Sequence, residues 1–327
     1  VTGPMAFFFF AICNGIGAGG GIVTSQSFGA GDTSHVKKCI TNVGYIMIVF
    51  PFIVGIIAFI FSGPLLKLLD TPSEIFEDAK NYLKILSSGL VFVSIYNYVS
   101  SMLRALGDSK TTLYFLIFSC ILNTILDILF VKFLHMSVFG AGIATLISQF
   151  VSGALCLIYA FKTNPYFKIE KKDLPLDSEV IRRSVKIGVP LSLQFSLIAI
   201  STMALQRVVN AFGSAAVAAF TATSRVEQVI HQPYQTLSAA LSTYTGQNFG
   251  ARKNDRVLVG YKKGMKMMLI FTLVMLIVMQ FFSKQIVGIF VREPEVLEMG
   301  AKALRISSWF YFFLGLIYTV RGVLNGL

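Results

Sequence analysis

The sequence predicts an all-α, polytopic membrane protein built from a parallel internal repeat, and three observations carry that prediction. Of its 327 residues, 55% are apolar and only 13% charged. A soluble domain carries about a quarter charged residues. The mean hydropathy is +0.72. Second, the chain resolves into stretches of the length a bilayer demands, about 20 mainly apolar residues each. Third, one half of the chain can be laid on the other at a constant shift of 221 residues.

The apolar stretches are 1–25, 43–66, 82–106, 112–132, 139–161, 189–209, 215–245, 267–289 and 304–326. Each is long enough for a transmembrane helix and too long for a barrel strand. Pro4, Pro51, Pro190, Pro233 and the run "GIGAGGG" fall inside them. These residues would break helices in water, but in lipid they mark kinks and close helix approaches.

The shift of 221 is set by "TSQSFGA" at 24–30, which pairs with "TGQNFGA" at 245–251. In the same register Phe61-Ser62 meets Phe282-Ser283, Glu74 meets Glu295, and Leu83 and Ile85 meet Leu304 and Ile306. "VSSMLRAL" at 99–106 then meets "VRGVLNGL" at 320–327. No gap is needed over this length, which marks a true repeat. The connections have the same sense in both copies, so the repeat is parallel rather than inverted. The span at 189–209 has no first-copy partner within the chain, and those at 112–132 and 139–161 have no second-copy partners. Two six-helix lobes are therefore expected, with nine of twelve spans present and the chain cut at both ends. They read as an N-terminal lobe at 1–161, a linker at 162–188 and a C-terminal lobe at 189–327.

Charge gives the orientation. The connections 24–42, 104–112, 162–188 and 246–266, with Arg321, hold 18 Lys and Arg. The connections 62–84, 132–138, 207–214 and 283–305 hold 9, and Arg225 lies within a span. The excess places the first set in the cytoplasm of a plasma-membrane protein. The net charge of +12 is thus an orientation signal. No basic soluble face exists for nucleic acid, and a monomer in the bilayer is expected. Cys13, Cys39, Cys120 and Cys156 lack a CxxC spacing and read as small buried hydrophobes, not as a disulfide framework or metal site. "GAGGG" lies within a span with no following Lys-Ser/Thr, so it is no phosphate loop.

Seven acidic residues fall on each side of the membrane, which leaves Asp127 and Glu227 for its interior. An acid at a helix centre costs about 2.5–3.5 kcal/mol and needs a partner, a proton or an ion. Asn123 lies four residues before Asp127, on the same helix face. Thr145 on the next helix offers a hydroxyl. Together they make a plausible hard-cation site; the alternatives are an interhelical anchor or pairing of Asp127 with Lys132. In "SRVEQVIHQPYQ", Glu227 and His231 share a face and Arg225 stands on another, while Pro233 removes a backbone donor. This group either contacts protons or a cationic solute, or neutralises its own buried charge. Gln194, Gln206, Asn210, Tyr96 and Asn97 are further intramembrane polar groups, read as cavity lining or interhelical glue.

The motifs in this order resemble the multidrug and toxic compound extrusion (MATE) family. "SQSFGAGD" and "GQNFGA" are similar to its paired Gln-x-x-Gly-Ala turns, here Gln26, Gly29 and Ala30 with Gln247, Gly250 and Ala251. "LRALGDSK" is similar to its turn after the fourth span, "NTILDILFV" with "FGAGIATLISQ" to its fifth and sixth spans, and "GVPLSLQ", "LQRVVNAFGS" and "SRVEQVIHQP" to the second-half opening of its bacterial multidrug-export branch. The resemblance implies a secondary antiporter that exports drug-like, cationic or aromatic small molecules by alternating access, in exchange for Na⁺ or H⁺ and with no cofactor. It also implies that the positions matching Asn123, Asp127 and Thr145 form part of a cation site in the first lobe. The family's further acids in spans seven and ten are absent from "LSLQFSLIAISTMALQ" and "WFYFFLGLIYTV". A lipid-linked oligosaccharide flippase of the same superfamily would want several interior cations, and Arg225 stands alone. A membrane-embedded transferase enzyme would want clustered carboxylates or a His-Asp pair, so no enzyme is expected.

Overall fold

The computed structural model describes residues 2–68 and 73–327. Residue 1 of the first expected span and residues 69–72 of the connection 62–84 lie outside the described residues, as does the Glu74 side chain of the repeat register. Among the described residues the regular structure is helical throughout. The helices are α1 (Thr2–Gly29), α2 (Thr33–Ile60), α3 (Ser62–Leu68), α4 (Ser73–Ser88), α5 (Leu90–Ala105) and α6 (Ser109–Asp127). They continue as α7 (Ser137–Thr163), α8 (Ser178–Asn210), α9 (Ser214–Gly250), α10 (Asn254–Gly288), α11 (Pro294–Ser308) and α12 (Tyr311–Gly326). Among the described residues, five helices are long and apolar enough to cross a membrane, or seven if each of two bent pairs counts as one span. The remaining two expected spans are the continuous helices α1 and α9; in α9 the polar run around Glu227 dilutes the apolar surface.

The bent pairs correct the expectation of straight spans at 82–106 and 304–326. Phe76–Ser88 meets Leu90–Ala105 at 43°, and α11 meets α12 at 49°. At each bend a serine hydroxyl is turned onto its own helix, a bond that competes with the backbone ladder. Ser87 Oγ donates to the Leu83 carbonyl at 2.7 Å, and Ser308 Oγ to the Arg305 carbonyl at 2.8 Å. Gln280 Nε2 also donates to that Arg305 carbonyl at 2.8 Å. The connections expected at 62–84 and 283–305 are accordingly largely helix. A further correction concerns Cys120, which is exposed on α6, whereas Cys13, Cys39 and Cys156 are buried.

The repeat shift reappears in the element boundaries. α2, α4 and α5 begin at Thr33, Ser73 and Leu90, and α10, α11 and α12 begin 221 residues later at Asn254, Pro294 and Tyr311. α1 and α9 end at Gly29 and Gly250 in the same register. The turns after them match bond for bond. Ala30 N donates to Gln26 O at 3.0 Å and Ala251 N to Gln247 O at 3.1 Å. Gly31 N then donates to Phe28 O, and Arg252 N to Phe249 O. Both turns need a left-handed residue, Gly31 at φ 75° and Arg252 at φ 57°. Glycine takes that conformation freely, and arginine adopts it at a steric cost.

The chain divides into two compact units, Val1–Ala199 and Ile200–Leu327. In the first, Val36, Ile40, Val43 and Met47 of α2 pack with Val99, Met102 and Leu103 of α5, and with Cys156, Ala160 and Phe167. In the second, Val226, Ile230 and Tyr234 of α9 pack with Met268, Val287, Leu304 and Tyr318. Met47 and Met268 hold the same register position, and both are fully buried.

Candidate cation site and polar constellation

α6 starts on the Asp108 cap, whose carboxylate accepts from Thr111 N at 3.1 Å. It packs along α7. Asp127 lies toward the end of the expected span 112–132. It is the last of the 19 residues of α6, and Ile128–Phe133 continues as a π-helix. There Leu134 N reaches back to Leu129 O at 3.0 Å, and Met136 N to Phe130 O at 2.9 Å. π-Helical turns are rare and concentrate at functional sites. This one widens the backbone spiral directly after the carboxylate.

Three atoms of this region are buried and have no hydrogen-bond partner: Asn123 Nδ2, Asp127 Oδ1 and Gln149 Oε1. Asn123 and Asp127 are one helical turn apart on α6. Gln149 is one turn from Thr145 on α7, so the two helices each contribute a polar pair. Thr145 Oγ1 donates to the Ala141 carbonyl at 3.0 Å, which leaves its lone pairs available. A buried polar atom without a partner costs about 1–3 kcal/mol, and among the described residues these three atoms, on the packed helices α6 and α7, have none. Lys132 does not supply one: its Nζ lies 5.9 Å from the centroid of the Phe133 ring. Among the described residues no cluster of three or more His, Cys, Asp or Glu side chains is assembled. The Asn123, Asp127, Thr145 and Gln149 groups on these two helices are one carboxylate, two amides and a hydroxyl.

Sequence reasoning missed Gln149 and the π-helix. Gln149 carried a usable signal, its spacing of four from Thr145. The π-helix carried none, because its residues are as apolar as their neighbours.

The other expected site residues separate. Tyr96 is buried, and its hydroxyl donates to the Thr112 carbonyl at 3.2 Å, tying α5 to α6. Asn97 Nδ2 donates to Val93 O of its own helix at 3.0 Å. Gln194 is half-buried on α8. Gln206 Nε2 donates to Asn210 Oδ1 at 2.9 Å, confirming their shared face. On α9, Glu227 and His231 are half-buried while Arg225 is exposed. The Glu227 carboxyl lies within electrostatic reach of the His231 ring and the Tyr311 hydroxyl. That hydroxyl is itself buried and has no partner among the described residues. Beside it, Tyr234 and Thr272 share a 2.7 Å hydrogen bond, and Tyr234 stacks on Tyr318 with ring centroids 6.5 Å apart. Tyr311 is the member of this constellation that the sequence reading did not single out. Of the repeat-motif residues, Gln26 accepts from Arg183 Nη2 at 3.0 Å, while Gly29, Ala30, Gln247, Gly250 and Ala251 shape the two turns described above.

Comparison with known proteins agrees with this architecture. The MatE family profile matches residues 1–129 and 190–327. The probable multidrug resistance protein YoeA of Bacillus subtilis is 28% identical over 95% of this chain and 69% of its own. The probable multidrug resistance protein YpnP of the same organism is 32% identical over 83% of this chain; the match spans 60% of the relative's length. A solved MOP superfamily transporter from Pyrococcus furiosus superposes with a TM-score of 0.92 at 22% identity, over 99% of this chain and 74% of that one. An outward-facing multidrug resistance MATE family transporter gives the same TM-score and identity, over 99% and 73%. The chain is a multi-pass membrane protein that belongs to the MatE family, a family of transporters and not of enzymes.

Proposed function

We propose that the protein exports drug-like cationic or aromatic molecules in exchange for a monovalent cation, Na⁺ or H⁺, that loads at Asp127. The observation that carries this reading is the set of unpartnered buried atoms Asp127 Oδ1, Asn123 Nδ2 and Gln149 Oε1. One carboxylate with neutral oxygens suits a hard monovalent ion, or a proton on the carboxylate itself. The Asn123 amide can turn to present its oxygen, and Thr145 Oγ1 has lone pairs to offer. The names of the relatives, multidrug resistance proteins in Bacillus subtilis and the multidrug export protein MepA in Staphylococcus aureus, support drug-like cargo.

Exchange follows from linkage. An ion moves an equilibrium between two states only by binding them unequally. The π-helix after Asp127 is the element that can absorb such a difference, because reversion to α-geometry would re-aim the carboxylate. Glu227, His231 and the Tyr311 hydroxyl form a polar contact for the cationic cargo in the second unit. The aromatic pair Tyr234–Tyr318 offers it a flat face. The connections 24–42, 104–112, 162–188 and 246–266 face the cytoplasm, and the protein acts as a monomer in the plasma membrane.

Ethidium efflux from cells carrying the full-length protein, under imposed Na⁺ and pH gradients, tests the proposal. Export should respond to one gradient and collapse in Asp127→Asn at unchanged membrane abundance. Gradient-independent export in both proteins would refute it.

A further inference from the structure

The connection from α7 to α8 is a strap tied down on α2, and the tie sits at a defined depth. α2 has 28 residues, so it runs about 42 Å and outreaches the ~30 Å hydrocarbon core. The charged and polar residues of its start, through Asn42, give way to an apolar run from Val43. The lipid border on α2 therefore falls near residues 42–45, and the strap's bonds land there. Asp177 N donates to Asn42 Oδ1 at 2.9 Å, and Asn42 Nδ2 to Pro175 O at 3.4 Å. Tyr45 donates to Leu174 O at 3.0 Å. Earlier in the strap Phe167 is fully buried in the core of the first unit. Tyr166 meets Phe28 edge-on, with ring centroids 5.5 Å apart. The strap is thus pinned from both ends.

Two leucines of the strap stand exposed at that depth. Leu174 is 48% and Leu176 72% exposed, whereas Phe167 and Val180 on either side are fully buried. Single exposed leucines are ordinary, but these two extend a surface. Tyr45, Ile48, Val49, Phe52 and Ile56 lie on one face of α2, and the last four are all exposed. That stripe is the face α2 turns to lipid. Tyr45 heads it, and the Tyr45 hydroxyl holds Leu174. The leucines therefore continue the lipid-facing stripe toward the polar end of the helix. The backbone around them suits an apolar contact. Leu174 O, Pro175 O and Asp177 N are all bonded to α2, and Pro175 has no N–H to satisfy.

We propose that Leu174 and Leu176 insert into the acyl-chain border of the bilayer, which makes the strap an interfacial anchor seated on α2. The contact is apolar and calls for no particular headgroup. Apolar side chains of interfacial elements reach about 5–10 Å into the boundary between headgroups and acyl chains. Tyr45, with its ring on the lipid-facing stripe and its hydroxyl bonded, is the amphipathic residue type of that border. A protein segment laid over the leucines would also cover them, but it would have to wedge between the strap and the bilayer at the head of a stripe that α2 gives to lipid. The inference fixes a depth on α2 and not a side of the membrane, so it holds for either orientation of the chain.

The test is spin labelling of the full-length protein in phosphatidylcholine nanodiscs, in a background cleared of other exposed cysteines. Nitroxides at Leu174→Cys and Leu176→Cys are compared with Ile48→Cys on the lipid face of α2 and with Lys171→Cys, an exposed position of the strap. Power saturation reads the access of oxygen, which concentrates in lipid, against that of a water-soluble nickel chelate. The oxygen-to-nickel ratio at the two leucine positions should match Ile48→Cys and exceed Lys171→Cys several-fold. Nickel access equal to that at Lys171→Cys would show a solvated strap and overturn the proposal. Access to neither reagent would show a protein segment on the leucines and overturn it too. Leu176→Trp, quenched by phosphatidylcholine brominated on its acyl chains, repeats the measurement without a nitroxide; quenching no greater than in Lys171→Trp would again overturn the anchor.

Discussion

The first and second units place the same helices in the same register and reach the same packing by exchanging large residues for small ones. In α1 the small residue is Gly20, where a Cβ would strike the Val43 side chain of α2. In the second unit the pair is inverted: Leu241 of α9 leans over Gly264 of α10, where a Cβ would come within 2.8 Å of the leucine. A second pair does the same. Ser101 Oγ donates to Gly17 O at 3.2 Å in the first unit. In the second, Gly322 faces Ser238, whose carbonyl would lie 2.6 Å from an added Cβ. What the two copies retain is the volume of each pair and the approach of the backbones, not the identity of either residue. Their polar chemistry has diverged further. The second copy puts its intramembrane acid at Glu227, where the first has Ala6. The acid of the first copy lies at Asp127 on α6.

Several perturbations would break or sharpen this comparison. The largest effect is expected at the acids. Asp127→Asn should lower gradient-driven ethidium export by on the order of tenfold or more, the range of ordinary coupling energies. Glu227→Gln should instead raise the KM for cationic dyes more than for neutral ones, leaving gradient dependence intact. Dye-efflux kinetics across both variants read the two roles separately; loss of gradient coupling in Glu227→Gln would move the ion site to the second unit.

Next in size is packing. Gly20→Leu inserts a side chain against Val43 and should destabilise the first unit by about 1–3 kcal/mol. Gly20→Leu/Val43→Gly, which rebuilds the second unit's pair, should recover most of that loss. Thermal unfolding of the four proteins of the cycle measures the coupling. An additive outcome would show that the inverted pairs are coincidence.

The smallest effect concerns the strap that follows α7 and is tied to α2, where Asp177 N donates to Asn42 Oδ1 at 2.9 Å and Tyr45 to Leu174 O at 3.0 Å. Donation from Val180 N, foremost, holds the Asp177 carboxyl below the usual carboxylate range, and the hydrogen bond from Lys172 does the same for Glu170. Carboxylates depressed in the folded state contribute stability above their unfolded pKa. That contribution is lost as pH falls through the folded value. The strap should therefore stay docked at neutral pH and loosen only below about pH 4. A spin label at Leu176→Cys, on a side chain 72% exposed, should become mobile in that window and not above it.

The sequence shows the spans and the repeat because both are written in hydropathy and in register, which a linear reading measures directly. It does not show the bends at 89 and 309–310. The residues there, Gly89 in one copy and Trp309-Phe310 in the other, share no type. The feature the two bends share is a serine hydroxyl bonded to its own helix one or two residues earlier, and most serines in apolar helices accompany no bend. Asp127 and Asn123 are legible because a carboxylate in lipid demands an explanation. Gln149 and Tyr311 are less so, since an amide or phenol is ordinarily satisfied by a neighbour and only coordinates reveal that these are not. The π-helix is invisible in composition, being a choice of hydrogen-bond partner among equally apolar residues.

The central claim is that the cation bound at Asp127 is the one displaced during drug exchange. The most direct test is to measure cation release from the purified full-length protein, Na⁺ by isotope and H⁺ by pH dye, on adding saturating tetraphenylphosphonium. The account predicts release of about one monovalent cation per protein from the native chain, and none from Asp127→Asn although the drug still binds. Equal release from both proteins would contradict it.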